Sequence, residues 1–205
     1  MQFNAISCDN WEFLLTRYMK ITDREDARVF LNAILTYAER QEIPKRVRIL
    51  EELFKDELTQ KDIAAKLNVS LANVTRGVNT IRSINYDLKG LFSGLNENGT
   101  NCLHTYGASM TEDGWLEFLD KYLMKIMDLE EARQFLIAVL THAEREEFPK
   151  RVRILEELYK GKLPQHEIAS KLNVSHANVS RGVNTIRSIQ PHYDLKAVLD
   201  QMNKK

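Results

Sequence analysis

Residues 59–83 read TQKDIAAKLNVSLANVTRGVNTIRS, and residues 164–188 read PQHEIASKLNVSHANVSRGVNTIRS. Thr59 is a good helix N-cap with Asp62 three residues on, Asn68 falls where a turn needs a residue tolerant of positive φ, and Ser70 caps a second helix that runs to about Ser83. The stretch therefore predicts a helix, a short turn and a second helix. Units of this kind place their second helix in the DNA major groove.

Working outward, Pro44 is expected to open a preceding amphipathic helix to Phe54, with Arg46 and Arg48 on its more exposed side. Before it, the spacing of Trp11, Leu14, Leu15, Tyr18 and Met19 predicts one helix. The run Ala27, Phe30, Leu31, Ile34, Leu35, Ala38 predicts another after the polar break 22–25. A short helix including Tyr86, Leu88, Leu91 and Phe92 closes the first copy.

Residues 93–109, rich in Gly, Asn and Ser and without periodicity, read as a linker that reaches roughly 55 Å when extended. The second copy follows at an offset of 105 residues, and across 44–84 and 149–189 only nine of 41 positions differ. That is tandem duplication. Trp115 sits one place early and Pro191-His192 is inserted, both breaking the offset. The expected organisation is a first helical repeat over 1–92, the linker 93–109 and a second repeat over 110–205. Two copies are too few for a solenoid, so a paired, two-fold-like arrangement is the natural reading.

Composition agrees with an all-α protein: 205 residues, 43% apolar, 28% charged, with 8 Gly and 4 Pro. Net charge is zero, so affinity for nucleic acid rests on local charge. Residues 59–83 carry four basic residues against one acid, and 164–188 carry three against one. Cys8 and Cys102 form no closely spaced pair, and neither a secretory signal nor a membrane-spanning run is visible. The expectation is a cytoplasmic protein with two reduced thiols and no membrane partner.

Catalysis is not expected. His166-Glu167 begins like a zinc-binding helix motif, but position 170 is serine. No Ser/His/Asp set, phosphate loop or four-ligand metal cluster is apparent, and His104 stands alone in the linker.

The segments LTYAERQEIPKRVRILEELFKDELTQKDIAAKLNVSLANVTRGVNTIRS and LTHAEREEFPKRVRILEELYKGKLPQHEIASKLNVSHANVSRGVNTIRS resemble the tryptophan repressor family. The pattern RVRI-x-EEL, then LTQ or LPQ, then TRG or SRG followed later by Asn, carries the resemblance. It implies an all-α, two-repeat helix-turn-helix fold forming an intertwined intramolecular pseudo-dimer. It further implies a transcriptional repressor that binds double-stranded operator DNA at two half-sites with L-tryptophan as corepressor, no other cofactor and no metal. Ligand binding would set the heads to fit successive major grooves about 34 Å apart. The chain would act as a monomeric pseudo-dimer or a repeat-swapped homodimer.

By the same resemblance the indole lies between guanidinium groups, with Arg46, Arg76, Arg151 and Arg181 as candidates. If the repeats pair within one chain, Arg46 meets Arg181 and Arg151 meets Arg76. Thr36 and Thr141 fall near the ligand's polar end, and the carbonyls of Leu35 and Leu140 are placed to take its ammonium. Gly77 and Gly182 leave room for the ring, and Thr80 and Thr185 keep the hydroxyl of a family serine. The ordinary alternative is that the arginines merely pair with Glu51, Glu52 or phosphates.

Base readout falls to Leu71, Ala72, Asn73 and Thr75 in one copy and to His176, Ala177, Asn178 and Ser180 in the other. The differences at 71/176 and 75/180 are either drift or a preference for an imperfect palindrome. Phosphate contacts are expected from Lys45, Arg48, Gln60, Lys61, Lys150, Arg153 and Gln165. Ala64 and Ala169 replace a basic family residue and Pro164 a capping threonine, so affinity or operator differs from the family pattern. Two other functions fit the sequence: a ligand-independent DNA-binding regulator of the same superfamily, and a helical dimerisation protein without DNA binding.

Overall fold

The computed structural model describes residues 5–84, 88–93, 126, 128–189 and 193–203. Tyr86, the linker from 94 to 109 with Cys102 and His104, Trp115, Pro191 and His192 lie outside the described residues. Among those described the chain is all helical: α1 (Ala5–Tyr18), α2 (Arg24–Ile34), α3 (Tyr37–Lys55), α4 (Gln60–Leu67), α5 (Leu71–Ser83) and α6 (Leu88–Ser93) come from the first repeat. The second supplies α7 (Leu129–Val139), α8 (His142–Lys160), α9 (Gln165–Leu172), α10 (His176–Ile189) and α11 (Leu195–Asn203).

Boundaries differ from the expectation: α1 begins at Ala5, before Trp11, Ser93 closes α6 instead of opening the linker, and the third helix starts early. The third helix does not open at Pro44 but at Tyr37, and both Pro44 and Pro149 lie inside their helices. Ala38 accordingly belongs to α3, since α2 stops at Ile34 where Leu35 turns extended. The physical reason is visible in the second repeat, where the Thr141 hydroxyl accepts the Glu144 N–H at 3.3 Å and the Glu144 carboxylate accepts the Thr141 N–H at 2.7 Å. This reciprocal cap starts the helix seven residues before the proline. An interior proline costs about 3 kcal/mol, and here both rings are buried on the core side.

The compact units do not coincide with the repeats. The first consists of Met1–Thr36 with Thr141–Lys205, the second of Tyr37–Leu140, so each draws helices from both copies. In the first unit α1 packs on α8 and α11, and α2 on α8, α10 and α11. Arg17 fixes this assembly, its Nε donating to Glu156 at 2.7 Å and its Nη2 to the Asn203 side-chain oxygen at 2.7 Å. The guanidinium also lies 3.8 Å from the Phe13 ring centre, over which Arg153 stands at 4.5 Å.

In the second unit α6 and α7 pack on α3. Its centre is aromatic: Phe92 stacks on Phe54 at 5.3 Å between ring centres and lies 5.8 Å from Phe135. Phe92 and Phe135 are fully buried.

The two heads have small cores of their own. Ile49, Ile63 and Val74 form one, and Ile154, Ile168 and Val179 the other, so each helix-turn-helix is completed by the end of the long helix before it. Thr59 and Ser70 cap α4 and α5, and Asn68 and Asn173 adopt φ of 50° at the turns. Pro164 makes no side-chain cap bond at α9.

A buried carboxylate ties each head to its long helix. Glu157 accepts from Lys160 and Lys171, both at 2.7 Å, and Glu52 accepts from Lys55 at 2.8 Å and Lys66 at 2.7 Å. The lysine hydrogen bonds hold the Glu157 carboxyl below its ordinary value of 4.5. For Glu52, burial alone pushes the other way, and its two lysines bring it below as well. A depressed carboxylate contributes stability that is present above its unfolded pKa and lost as pH falls through the folded one. Glu157→Gln should therefore cost about 1–2 kcal/mol near neutral pH and flatten the acid limb of the melting temperature measured against pH. An unchanged acid limb would show that the bridge contributes nothing.

Candidate functional site

A cavity of about 220 Å³ lies inside the first unit. Three elements wall it. The end of α2 and its exit contribute Ala33, Ile34, Leu35 and Thr36; α8 contributes Glu147, Lys150, Arg151, Ile154 and Leu155; and α10 contributes Asn178, Arg181, Gly182 and Thr185. The α8 and α10 residues recur at three- and four-residue intervals, so each set is a single stripe on its helix.

Arg151 fastens the first wall to the second. Its Nη1 donates to the Ile34 carbonyl at 2.7 Å, a bond from the second repeat to the first. Leu35, extended at φ −99°, closes α2 with its N–H donating to the Leu31 carbonyl. The last carbonyls of α2 and the negative end of its dipole thus stand at the cavity wall. Opposite are the cations Lys150, Arg151 and Arg181, against which only Glu147 is acidic; Lys150 pairs with Glu147 at 2.8 Å.

Gly182 explains how α10 comes so close. A Cβ there would lie 2.8 Å from Ile154 Cγ2 and 3.0 Å from Leu158 Cδ1, and Gly77 stands in the same relation to Ile49 and Leu53. Any larger residue would push the recognition helix away from the long helix. The resemblance implies that this glycine makes room for a ligand ring; its contacts show that it sets the spacing of two helices.

The second unit repeats the framework. Arg46 Nη1 donates to the Val139 carbonyl at 3.0 Å, with Leu140 buried at the end of α7. Arg76, Gly77 and Thr80 lie along α5. Arg46 and Arg48 are half-buried while Val47, Ile49 and Leu50 are buried, so the two arginines lie on the more exposed side of α3. Thr141 caps α8.

The expected exchange of arginines does not occur in the cavity. Arg151 and Arg181, both of the second repeat, line it together, and what the first repeat supplies is the segment 33–36. The reason is the direct packing of α8 on α10 that Gly182 permits, which sets arginines of one repeat side by side.

The surface positions fall on the heads. Gln60, Lys61, Leu71, Ala72 and Thr75 are exposed and Asn73 half-buried; Gln165, His176 and Ala177 are exposed and Asn178 and Ser180 half-buried. Lys45, Lys150 and Arg153 are half-buried on the long helices. Lys150 and Asn178, read from sequence as DNA contacts, also line the cavity. Asn178 stands three residues before Arg181, so the helical period was the signal that places both on one face. Ala33, Ile34, Glu147, Ile154 and Leu155 line the cavity without having been singled out from sequence as site residues; Glu147 and Arg151 are likewise four residues apart.

A two-repeat helical protein with duplicated helix-turn-helix heads is the class that fold and site define. The family model described as Trp repressor protein matches residues 9–95 and again 113–203, and the chain belongs to that family. It is 37% identical over 88 residues to a Trp operon repressor homolog of Chlamydia caviae, covering 43% of this chain and 87% of that protein. Homologs of the same description from Vibrio campbellii and Vibrio cholerae are 34% and 32% identical over 74 and 89 residues. These matches cover 36% and 43% of this chain, and 74% and 86% of those proteins. No solved structure matches the chain significantly. The family is one of transcriptional repressors, not of catalysts. Among the described residues no helix is long and apolar enough to cross a membrane.

Proposed function

We propose that the protein is a DNA-binding transcriptional repressor that takes L-tryptophan, or a related aromatic amino acid, as corepressor, one molecule in each unit. The observation that carries this reading is the cavity of the first unit, where the carbonyl end of α2 faces a cluster of cations across an apolar floor of Ile154 and Leu155. An amino acid needs those three things: acceptors for its ammonium, a cation for its carboxylate and an apolar or guanidinium face for its ring. Leu35 and Thr36 serve the ammonium end, Arg181 the carboxylate or the ring, and Thr185 adds a hydroxyl.

The same helix links ligand to DNA. Asn178 lies on the first turn of α10, the part that enters the groove, and also at the cavity. A ligand wedged between α2, α8 and α10 fixes the tilt of α10, which favours the DNA-competent setting of the head by as much as the ligand prefers it. Pairing of the repeats within one chain is supported by the mixed make-up of each compact unit.

Calorimetric titration of the full chain with L-tryptophan should give two sites. No heat and no thermal shift at about millimolar ligand would overturn the corepressor role. Gel shifts on mixed-sequence DNA over a salt series test the other half, and absence of binding even at low salt would favour a dimerisation protein instead.

A further inference from the structure

The thirteen cavity-lining residues each have a counterpart 105 positions away, and all but Ile34, matched by Val139, are the same residue in both repeats. The helix-turn-helix stretches have diverged more, at six of 25 positions. In the first head all six of these side chains, Thr59, Lys61, Asp62, Ala65, Leu71 and Thr75, are exposed. The duplicated chain has thus kept two nearly identical sets of these residues and acquired two different outer surfaces.

Two of the six differences are coupled. Position 71 and position 75 lie one turn apart on α5, as do 176 and 180 on α10, so each pair shares a helix face. In the first head the Thr75 hydroxyl donates to Gln60 Oε1 at 3.3 Å, and Leu71 is 45% exposed. In the second head the Ser180 hydroxyl lies instead 3.4 Å from His176 Nδ1. The glutamine is present in both heads, as Gln60 and Gln165, so the partner of the hydroxyl differs between heads although the glutamine does not.

We infer that the two heads read different half-sites, with Leu71 and His176 as the residues that tell them apart. This rests on the DNA-binding reading above. A leucine side chain neither donates nor accepts; the one apolar feature of the major groove that it fits is the thymine methyl. When Nδ1 accepts from the Ser180 hydroxyl, the ring N–H of His176 is on Nε2 and gives the exposed side chain a donor. Its match is guanine, whose N7 and O6 are both acceptors. The preferred operator is therefore not a palindrome: at matching positions of its arms it has thymine under the first head and guanine under the second.

Selection from duplex DNA randomised in both arms, using the full chain with L-tryptophan, tests this. The expected product is a site with that thymine and guanine asymmetry. The double variant H176L/S180T, which gives the second head the first head's residues at two surface positions, should shift the selected site to thymine in both arms. It should also bind the original site about tenfold more weakly, the size expected for one lost base contact. A palindromic product from the unaltered chain, or an unchanged product from the double variant, would overturn the inference and leave the repressor reading intact. Failure to enrich any sequence would instead overturn the repressor reading and the inference with it.

Discussion

Phe135→Ala should destabilise the second unit by about 3–5 kcal/mol, the range for truncating a buried phenylalanine, and it should loosen the head of the repeat to which Phe135 does not belong. Phe135 sits on α7 in the second repeat, has no exposed surface, and lies 5.8 Å from Phe92 of the first repeat. Phe92 in turn stacks on Phe54 at the end of α3, the helix on which α4 and α5 rest. Removing the ring opens a cavity beneath the platform of the first head. Amide exchange followed by mass spectrometry should show α3, α4 and α5 losing protection while α8, α9 and α10 keep theirs. Phe30→Ala, the corresponding change in the first unit, should give the reverse pattern, because Phe30 is also fully buried. Loss of protection in the head of the mutated residue's own repeat would contradict the composition of the units.

Arg181→Ala should halve the stoichiometry of tryptophan binding without unfolding the chain. The side chain is exposed at the cavity of the first unit, so its loss costs no core packing. A charge-assisted hydrogen bond contributes about 1.5–3 kcal/mol, which weakens that site by about 10–100-fold and leaves it largely empty at ligand concentrations that just saturate the intact site. The second unit keeps Arg76 and Arg46, the latter on the Val139 carbonyl. Titration calorimetry should thus fall from two sites to one of unchanged affinity, and Arg76→Ala with Arg181→Ala should remove both. Two unaltered sites in the single variant would place the ligand elsewhere.

Arg151 is a different kind of residue from Arg181. Both are expected from sequence to flank a ligand, and Arg151 spends a donor on the Ile34 carbonyl and so holds α2 against α8. Sequence spacing could not show this, because the partner is 117 positions away. Asn178 and Lys150 illustrate the converse. Each looked like a DNA contact from its place in the motif, and the packing of α10 on α8 also brings both to the cavity. Pro44 misled for a local reason: proline favours a first helical turn, but the reciprocal cap of the type formed by Thr141 and Glu144 sets the start of the long helix.

The chain by itself determined what depends on neighbours within about a turn. The caps at Thr59 and Ser70, the left-handed Asn68, the helical periods and the duplication are local or internal comparisons, and together they fix the class of fold, the existence of two heads and most of the residues around the cavity. Only tertiary structure decided which copy's helices meet. Because α2 and α7 bury the same residues at matching positions, Ala27 and Ala132, Phe30 and Phe135, Ala33 and Ala138, no core pattern distinguishes packing within a repeat from packing across repeats. Burial chose the crossed arrangement, in which Phe30 and Phe135 each fill the core of a unit whose head belongs to the other repeat.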